Sequence, residues 1–297
     1  MPEFCYTAPL MVTAHRIIEK HRVTPNGFLV RVEAPLIAAH ARAGQFVILR
    51  VNETGERIPL TLARWDAAAG TIDLAFQVVG KTTALLSTLE PGDAIRDIAG
   101  PLGKPSEIRH YGSVAILAGG FGAAALLPIA QALAAAGNTL YSVVGARSAD
   151  FLMFHRELAE VSEKTIVMTD DGSAGRKGFV IDGLSALASE TKLDHAYAIG
   201  PAIMMKFTAL TCVELGIPVT VSLNPIMVDG TGMCGSCRVE VAGQTRFACV
   251  DGPEFDGSAV NWDSLLSRLN AFKEQEEQAY RLFMENMEKA AGGTENA

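Results

Sequence analysis

A chain of 297 residues, 49% of them hydrophobic, is long enough for two or three domains and apolar enough for ordinary packed cores. Its formal net charge of −8 offers no basic footprint for nucleic acid. No apolar run reaches membrane-spanning length, and five cysteines over this length make no disulfide framework. The opening MPEFCYTAPLMVTAHR lacks a basic region followed by an apolar stretch, so no signal peptide is expected, and the chain reads as a protein of a reducing cytoplasm.

Residues 1–103 carry short strands between turn signals: GFLVRVEAP, QFVILRV, IPLTLARW, TIDLAFQVV and DAIRDIAGP. Many short strands without a long helix predict a small antiparallel barrel or sandwich. Inside this region Arg57-Ile58-Pro59-Leu60-Thr61 sets a cation near a hydroxyl. Such a pair suits a flavin's phosphate and ring edge, or is simply a surface arginine and a capping threonine. Gly80-Lys81-Thr82-Thr83 opens a helix whose N-terminus could take a pyrophosphate. It is no P-loop, because that motif needs glycine at 75, which is Ala75.

From 104 to 223 the rhythm changes. SVAILA (113–118), TLYSVVGA (139–146), KTIVMTD (164–170), HAYAIG (195–200) and PVTVSL (218–223) alternate with helical runs at 123–136, 151–162, 181–190 and 201–215. That alternation predicts a parallel sheet covered on both faces. Gly119-Gly120-Phe121-Gly122 follows the first strand directly. With Ala125 it fits G-x-G-x-x-A in its strand–turn–helix setting, a dinucleotide fingerprint. The strand TLYSVVGA ends without the acid that holds a ribose 2′-hydroxyl; Arg147 stands there, able to grip a 2′-phosphate or to cap a helix. NAD and NADP both stay open. Asp170-Asp171-Gly172-Ser173 suits a ribose or a turn, and Gly200-Pro201 lies at the sheet edge where ligands dock. His155 and His195 have no ligand-spaced partners and read as structural, as Met204 and Met205 read as core. No nucleophile with a nearby base occurs and no catalytic side chain is assigned, since hydride transfer between stacked cofactors needs none.

Residues 224–257 hold the most specific signal. Asp229, Cys234, Cys237 and Cys249 run as D-x4-C-x2-C-x11-C, a plant-type [2Fe–2S] spacing with aspartate in the first position. Gly230, Gly232 and Gly235 interleave with them and suit a loop wrapping an inorganic core. A zinc loop and buried structural thiols are the alternatives; zinc would prefer two C-x2-C pairs, and only one is present. Residues 258–297 are predicted to form a terminal helix from Trp262 to Ala290. Its apolar stripe packs on the chain's own body or a partner, or the helix stands free.

In this order, the motifs resemble the ferredoxin–NADP reductase superfamily, and within it the iron–sulfur branch that includes the electron-transfer subunit of dihydroorotate dehydrogenase. The resemblance covers roughly 14–257. It implies a β-barrel FAD domain (1–103), an α/β NAD domain (104–223) and a small [2Fe–2S] domain (224–257), with the helix predicted from spacing (258–297) beyond them. By resemblance, Arg57, Pro59, Leu60 and Thr61 touch the flavin, and Gly80, Lys81 and Thr82 its phosphates. Gly119, Gly120 and Gly122 approach NAD(H). Asp229, Cys234, Cys237 and Cys249 hold the cluster.

SLNPIMVDGTGMCGSCRVEV and FACVDGPEFDG look most like the small-subunit family of NADH-dependent reduced ferredoxin:NADP+ oxidoreductases, also known as sulfide dehydrogenases. Dihydroorotate subunits have cysteine where this chain has Asp229. The resemblance implies a heterodimer with a larger glutamate-synthase-like subunit carrying its own FAD and [4Fe–4S] clusters. Ferredoxin and NADP(H) would act through that partner, in flavin-based electron bifurcation. The competing readings are an electron-transfer subunit for dihydroorotate or sulfide oxidation, and a non-catalytic zinc-loop module that recruits a partner.

Overall fold

Two seven-stranded sheets organise the residues described by the computed structural model, 15–292; Cys5 lies outside them. The first sheet contains β1 (His15–Thr24), β2 (Gly27–Glu33), β3 (Phe46–Arg50), β4 (Arg57–Asp66), β5 (Thr71–Gln77), β6 (Ala94–Ile95) and β7 (Asp97–Leu102). Its order is β6-β1-β2-β5-β4-β3-β7, with every pairing antiparallel. The end strands β6 and β7 are joined by Arg96 alone, so the sheet must curl until its two edges meet, the barrel-like form expected. Phe28, Val30 and Val32 of β2 turn inward while Arg31 turns outward to Asp73, Nε to Oδ1 at 2.8 Å. Helix α1 (Pro35–Ala38) and helix α2 (Lys81–Thr88) close the ends. Strand β1 was absent from the sequence reading. Its HRIIEKHRVT is charged and buries only Ile17 and Thr24, so the apolar alternation that marks a strand is missing.

The second sheet holds β8 (Ser113–Gly119), β9 (Thr139–Ala146), β10 (Lys164–Thr169), β11 (Arg176–Lys177), β12 (His195–Ile199) and β13 (Val219–Ser222), all parallel. Helices α3 (Gly122–Ala135), α4 (His155–Glu160), α5 (Val180–Glu190) and α6 (Ala202–Glu214) cover it. Val114 to Ala118 of β8 are fully buried, which is why the strand reads as a continuous apolar run. The helix expected at 151–162 shortens to α4, because Phe154 sits at φ 53° and breaks it.

Beyond β13 come the hairpin β14 (Arg238–Val241) and β15 (Gln244–Phe247), helix α7 (Ala248–Asp251) and strand β16 (Glu254–Asp256). Ala242 and Gly243 both have positive φ, as a two-residue hairpin turn requires. β16 adds to β13 in antiparallel sense, giving the sheet order β11-β10-β9-β8-β12-β13-β16. The tail is helical but breaks in two, α8 (Trp262–Leu269) and α9 (Lys273–Gly292). Trp262 and Leu265 anchor α8 in the core. α9 then lies along α2, half-burying Ala279, Tyr280 and Phe283 and exposing most of its length.

The two sheets are locked together by one shared core. Ala63 and Ala75 of the barrel pack with Ala124, Leu127 and Ile129 of α3. That packing fixes the crevice between them. None of the described helices is long and apolar enough to cross a membrane.

Candidate functional site

Strand order in the parallel sheet reverses between β8 and β12, because the chain winds outward through β9 and β10 before returning. The loops after those two strands therefore diverge and leave a crevice at their carboxyl ends. A cavity of about 1120 Å³ opens there, between the parallel sheet and the barrel. Gly119, Gly120, Gly122, Gly200 and Pro201 line it, as do Arg147, Asp170, Pro59, Leu60 and Thr61. Residues read separately from the sequence thus share one wall.

Each glycine of the turn serves a different end. Gly120 has φ +52° and open space where a Cβ would stand, so backbone is bared to the cavity. A Cβ on Gly122 would come within 2.1 Å of the Ile199 carbonyl oxygen, so this glycine lets α3 press on β12. On Gly119 it would strike the Met204 sulfur at 2.3 Å. The first turn of α3 carries no acid, leaving its N–H groups and dipole for an anion.

Arg147 lies over the Phe151 ring, 4.3 Å from its centroid. Asp170 faces the cavity, whereas Asp171 folds into its own turn and accepts from the N–H and hydroxyl of Ser173. The Ser173 hydroxyl, foremost, then its N–H, hold the Asp171 carboxyl below its usual range. His195 is structural: burial first, then Arg109, lowers its pKa to about 4, and its Nε2 meets Thr220 Oγ1 at 2.9 Å. Met205 is buried core, while Met204 reaches the cavity.

Arg57, Gly80, Lys81 and Thr82 do not line this cavity. They gather beside it. The Thr82 hydroxyl donates to Glu56 Oε2 at 2.7 Å, tying the start of β4 to the start of α2. Thr83 Oγ1 accepts from the N–H of Val79 and of Gly80, so Thr83, not Thr82, caps the helix. Gly80 has open space at its Cβ position.

The cysteine loop begins where the cavity ends. Ser222, Leu223, Asn224 and Met227 line the cavity, and Met227 packs with Cys237, Cys249, Phe46 and Ile48 in one small core. Cys237 and Cys249 are buried with their sulfurs 3.2 Å apart. Asp229 accepts from the N–H of Thr231 and of Cys234, both at 2.8 Å, bonds that depress its pKa, the Thr231 bond most. Cys234 is exposed and its thiol lies 3.4 Å from Ser236 Oγ, which lowers its pKa. Burial, above all, and then the adjoining Cys237 thiol raise the Cys249 thiol. Among the described residues no three such side chains converge on a single point. The donor set nevertheless fits an iron–sulfur centre: a carboxylate and two thiols on the loop 229–237 and a third thiol, Cys249, on α7, with Gly230, Gly232 and Gly235 all at positive φ. Cys212 lies apart in α6, its thiol pushed up to about 12 by burial.

Several cavity residues escaped the sequence reading. Phe46, Asn26 and Gln77 come from barrel strands and hairpins, and Phe179 from the start of α5. No local pattern distinguishes them from ordinary strand and loop residues. Asn224 had a usable signal, because it follows β13 at the same carboxyl edge as Gly119 and Gly200. Behind Gly44, another wall residue, the Ser106 hydroxyl donates to Glu254 at 2.5 Å, and burial raises the Glu254 carboxyl to about 7.

Comparison with known proteins agrees with this geometry. Residues 224–261 match the iron-sulfur cluster binding domain of dihydroorotate dehydrogenase B. A dihydroorotate dehydrogenase B electron transfer subunit homolog of Thermotoga maritima is 50% identical, over 95% of this chain and 98% of the relative. The corresponding electron transfer subunit of Desulforamulus reducens is 35% identical, over 84% and 97%. Among solved structures, one of NADH-dependent reduced ferredoxin-NADP oxidoreductase, described for flavin-based electron bifurcation, is 50% identical. It superposes with a TM-score of 0.87 and covers 91% of this chain and 98% of that one. A ferredoxin NADP+ reductase from Neisseria gonorrhoeae with bound FAD and NADP, 20% identical with a TM-score of 0.54 over 69% and 91%, shares the fold.

Proposed function

Since the chain belongs to the family of dihydroorotate dehydrogenase B electron-transfer subunits and their homologues, oxidoreductase subunits of the ferredoxin–NADP reductase type, we propose that it moves electrons between NAD(H), FAD and a [2Fe–2S] cluster as the small subunit of a NADH-dependent reduced ferredoxin:NADP+ oxidoreductase. The observation that carries this is continuity: a single cavity runs from the glycine turn to Met227, and Met227 touches the buried cysteine pair. FAD, when bound, would supply the chemistry that couples two-electron hydride exchange with nicotinamide to one-electron exchange with an iron–sulfur centre.

The chain's own residues supply placement. Residues 1–103 hold the flavin, with Pro59, Leu60 and Thr61 along its ring and Arg57, Gly80, Lys81 and Thr82 at its phosphates. Residues 104–223 hold the nucleotide. The Gly119–Gly122 turn and the α3 N-terminus receive its pyrophosphate, Gly200 and Pro201 flank the nicotinamide side, and Arg147 and Asp170 stand near a ribose. Residues 224–257 hold the cluster through Asp229, Cys234, Cys237 and Cys249, and Met227 keeps water out of the gap between flavin and cluster. Helix α8 packs on β14 of that segment, and α9 reaches α2.

The exposed Cys234 and the 88% exposed Met233 support seating the partner subunit on that side. That partner is a larger subunit with its own flavin and [4Fe–4S] clusters, through which ferredoxin and NADP(H) react. The test is anaerobic affinity purification with flavin and iron analysis. Stoichiometric FAD, two irons in this subunit and a large flavin–[4Fe–4S] partner are expected. Colourless protein, or a dihydroorotate-oxidising partner, overturns the reading. Asp229→Cys should shift the cluster's midpoint potential; an unmoved midpoint removes Asp229 as a ligand.

A further inference from the structure

Two arginines hold the cysteine loop from behind. Arg268, on α8, donates from Nη2 to the Ser236 carbonyl at 3.0 Å. Arg238, at the start of β14, donates from Nη1 to the Gly235 carbonyl at 3.0 Å. Those two carbonyls are consecutive and lie between Cys234 and Cys237. Among the described residues neither arginine pairs with a carboxylate. Yet the chain has 33 acids against 25 Lys and Arg, so carboxylates are not scarce. The Nε of Arg268 is buried and has no hydrogen-bond partner. Burial and the nearby Arg238 charge disfavour its cationic form, and a charge on Cys237 favours it.

Two like charges held close, one partly buried with an orphaned donor, are costly unless an anion compensates them. With no carboxylate pairing either arginine among the described residues, the group held by the cysteines is the anion that compensates them. An iron–sulfur centre with three thiolates and a carboxylate is anionic on formal counting. Adding one electron, from flavin in the protein or from dithionite in a titration, makes it one unit more negative with no bond broken. A fixed cation nearby therefore favours the reduced form, since hydrogen bonds and charge around the sulfurs set the potential.

We propose that Arg268, seconded by Arg238, is a positioning residue that both fixes the Gly235–Ser236 segment and raises the reduction potential of the cluster. The inference rests on the cluster reading above. It adds a residue outside the 224–261 segment that the iron–sulfur family model matches.

The experiment is an EPR-monitored redox titration of the purified complex, with iron content measured in parallel. Arg268→Gln should disfavour reduction at least tenfold, a midpoint lower by about 59 mV for a one-electron couple. Arg268→Lys, which keeps the charge, should return the midpoint most of the way to wild type. Lys192→Gln removes a charge from the exposed far edge of the parallel sheet and should leave it in place. An Arg268→Gln protein with full iron and an unmoved midpoint overturns the proposal. So does equal displacement by the Gln and Lys variants, which would mark a purely structural contact. If Arg268→Gln loses its iron, Arg238→Gln decides, with a smaller shift of the same sign expected and no shift overturning it. A wild type without iron removes the cluster reading itself, and this proposal with it.

Discussion

The glycine turn after β8 and the cysteine loop after β13 are both glycine-rich, and both face the same cavity, but they are built in opposite ways. The turn is made by secondary structure. Its shape follows from a strand, a helix and the backbone contact at Gly122, and it stands complete whatever binds there. The loop is made by side chains. Two of its sulfurs form one buried pair, the Asp229 carboxylate is held by backbone N–H groups, and Cys234 lies beside Ser236. Backbone order is enough to shape a site for a pyrophosphate, whereas a site for iron needs the iron to finish it.

The sharpest way to break this contrast is Gly122→Ala. Its Cβ would meet backbone at 2.1 Å, where nothing flexible can yield. A loss of about 3 kcal/mol is expected in chemical denaturation, together with weakened NAD(H) binding. If stability is unchanged, the turn is not a rigid preformed element.

Next comes Glu254, on the cysteine side of the cavity. Its folded pKa of about 7 lies above its ordinary 4.5, so the folded state binds more protons between those values. Its stabilising contribution is complete below about pH 4.5 and lost as pH rises through about 7, by about 3 kcal/mol. Denaturation curves at several pH values should show this slope in the wild type relative to Glu254→Gln. Identical pH profiles would show that the carboxyl is not held protonated.

Cys237→Ser should abolish iron binding while costing the iron-free protein only about 1–2 kcal/mol, the penalty of a poorly satisfied buried hydroxyl. Unfolding of the whole chain by this change would erase the distinction between the two sites. Gly120→Ala is the mildest. A residue at φ +52° costs about 1 kcal/mol and meets no atom. Stability should barely change while NAD(H) affinity, followed by fluorescence titration, falls. Equal affinity would place the pyrophosphate elsewhere.

Much of this was legible in advance because it is local. The fully buried run of β8, the turn that follows it and the spacing of the cysteines are all properties of neighbouring residues. Strand β1 was not legible, since its charged sequence becomes a strand only by pairing with β2 and β6. The split of the tail at Asn270–Phe272 was equally hidden, because the apolar spacing continues across it.

The sequence by itself determined which chemistry is present: a nucleotide turn, a cation beside a hydroxyl, three thiols and a carboxylate. Each depends on residue type and short spacing, which folding does not alter. Only the tertiary structure decided that the glycine turn and Pro59, Leu60 and Thr61 share one cavity, with Arg57 beside it and the cysteine segment at its end. It set Phe121 against the barrel at Gly27, so closely that a Cβ there would lie 2.2 Å from the ring. It also brought Met227 to the buried cysteines, and Arg268 from the tail to their loop. The Phe121 contact arises from packing α3 on the barrel and the Arg268 contact, across 32 residues of chain, from packing α8 on α6 and β14, which no local pattern encodes.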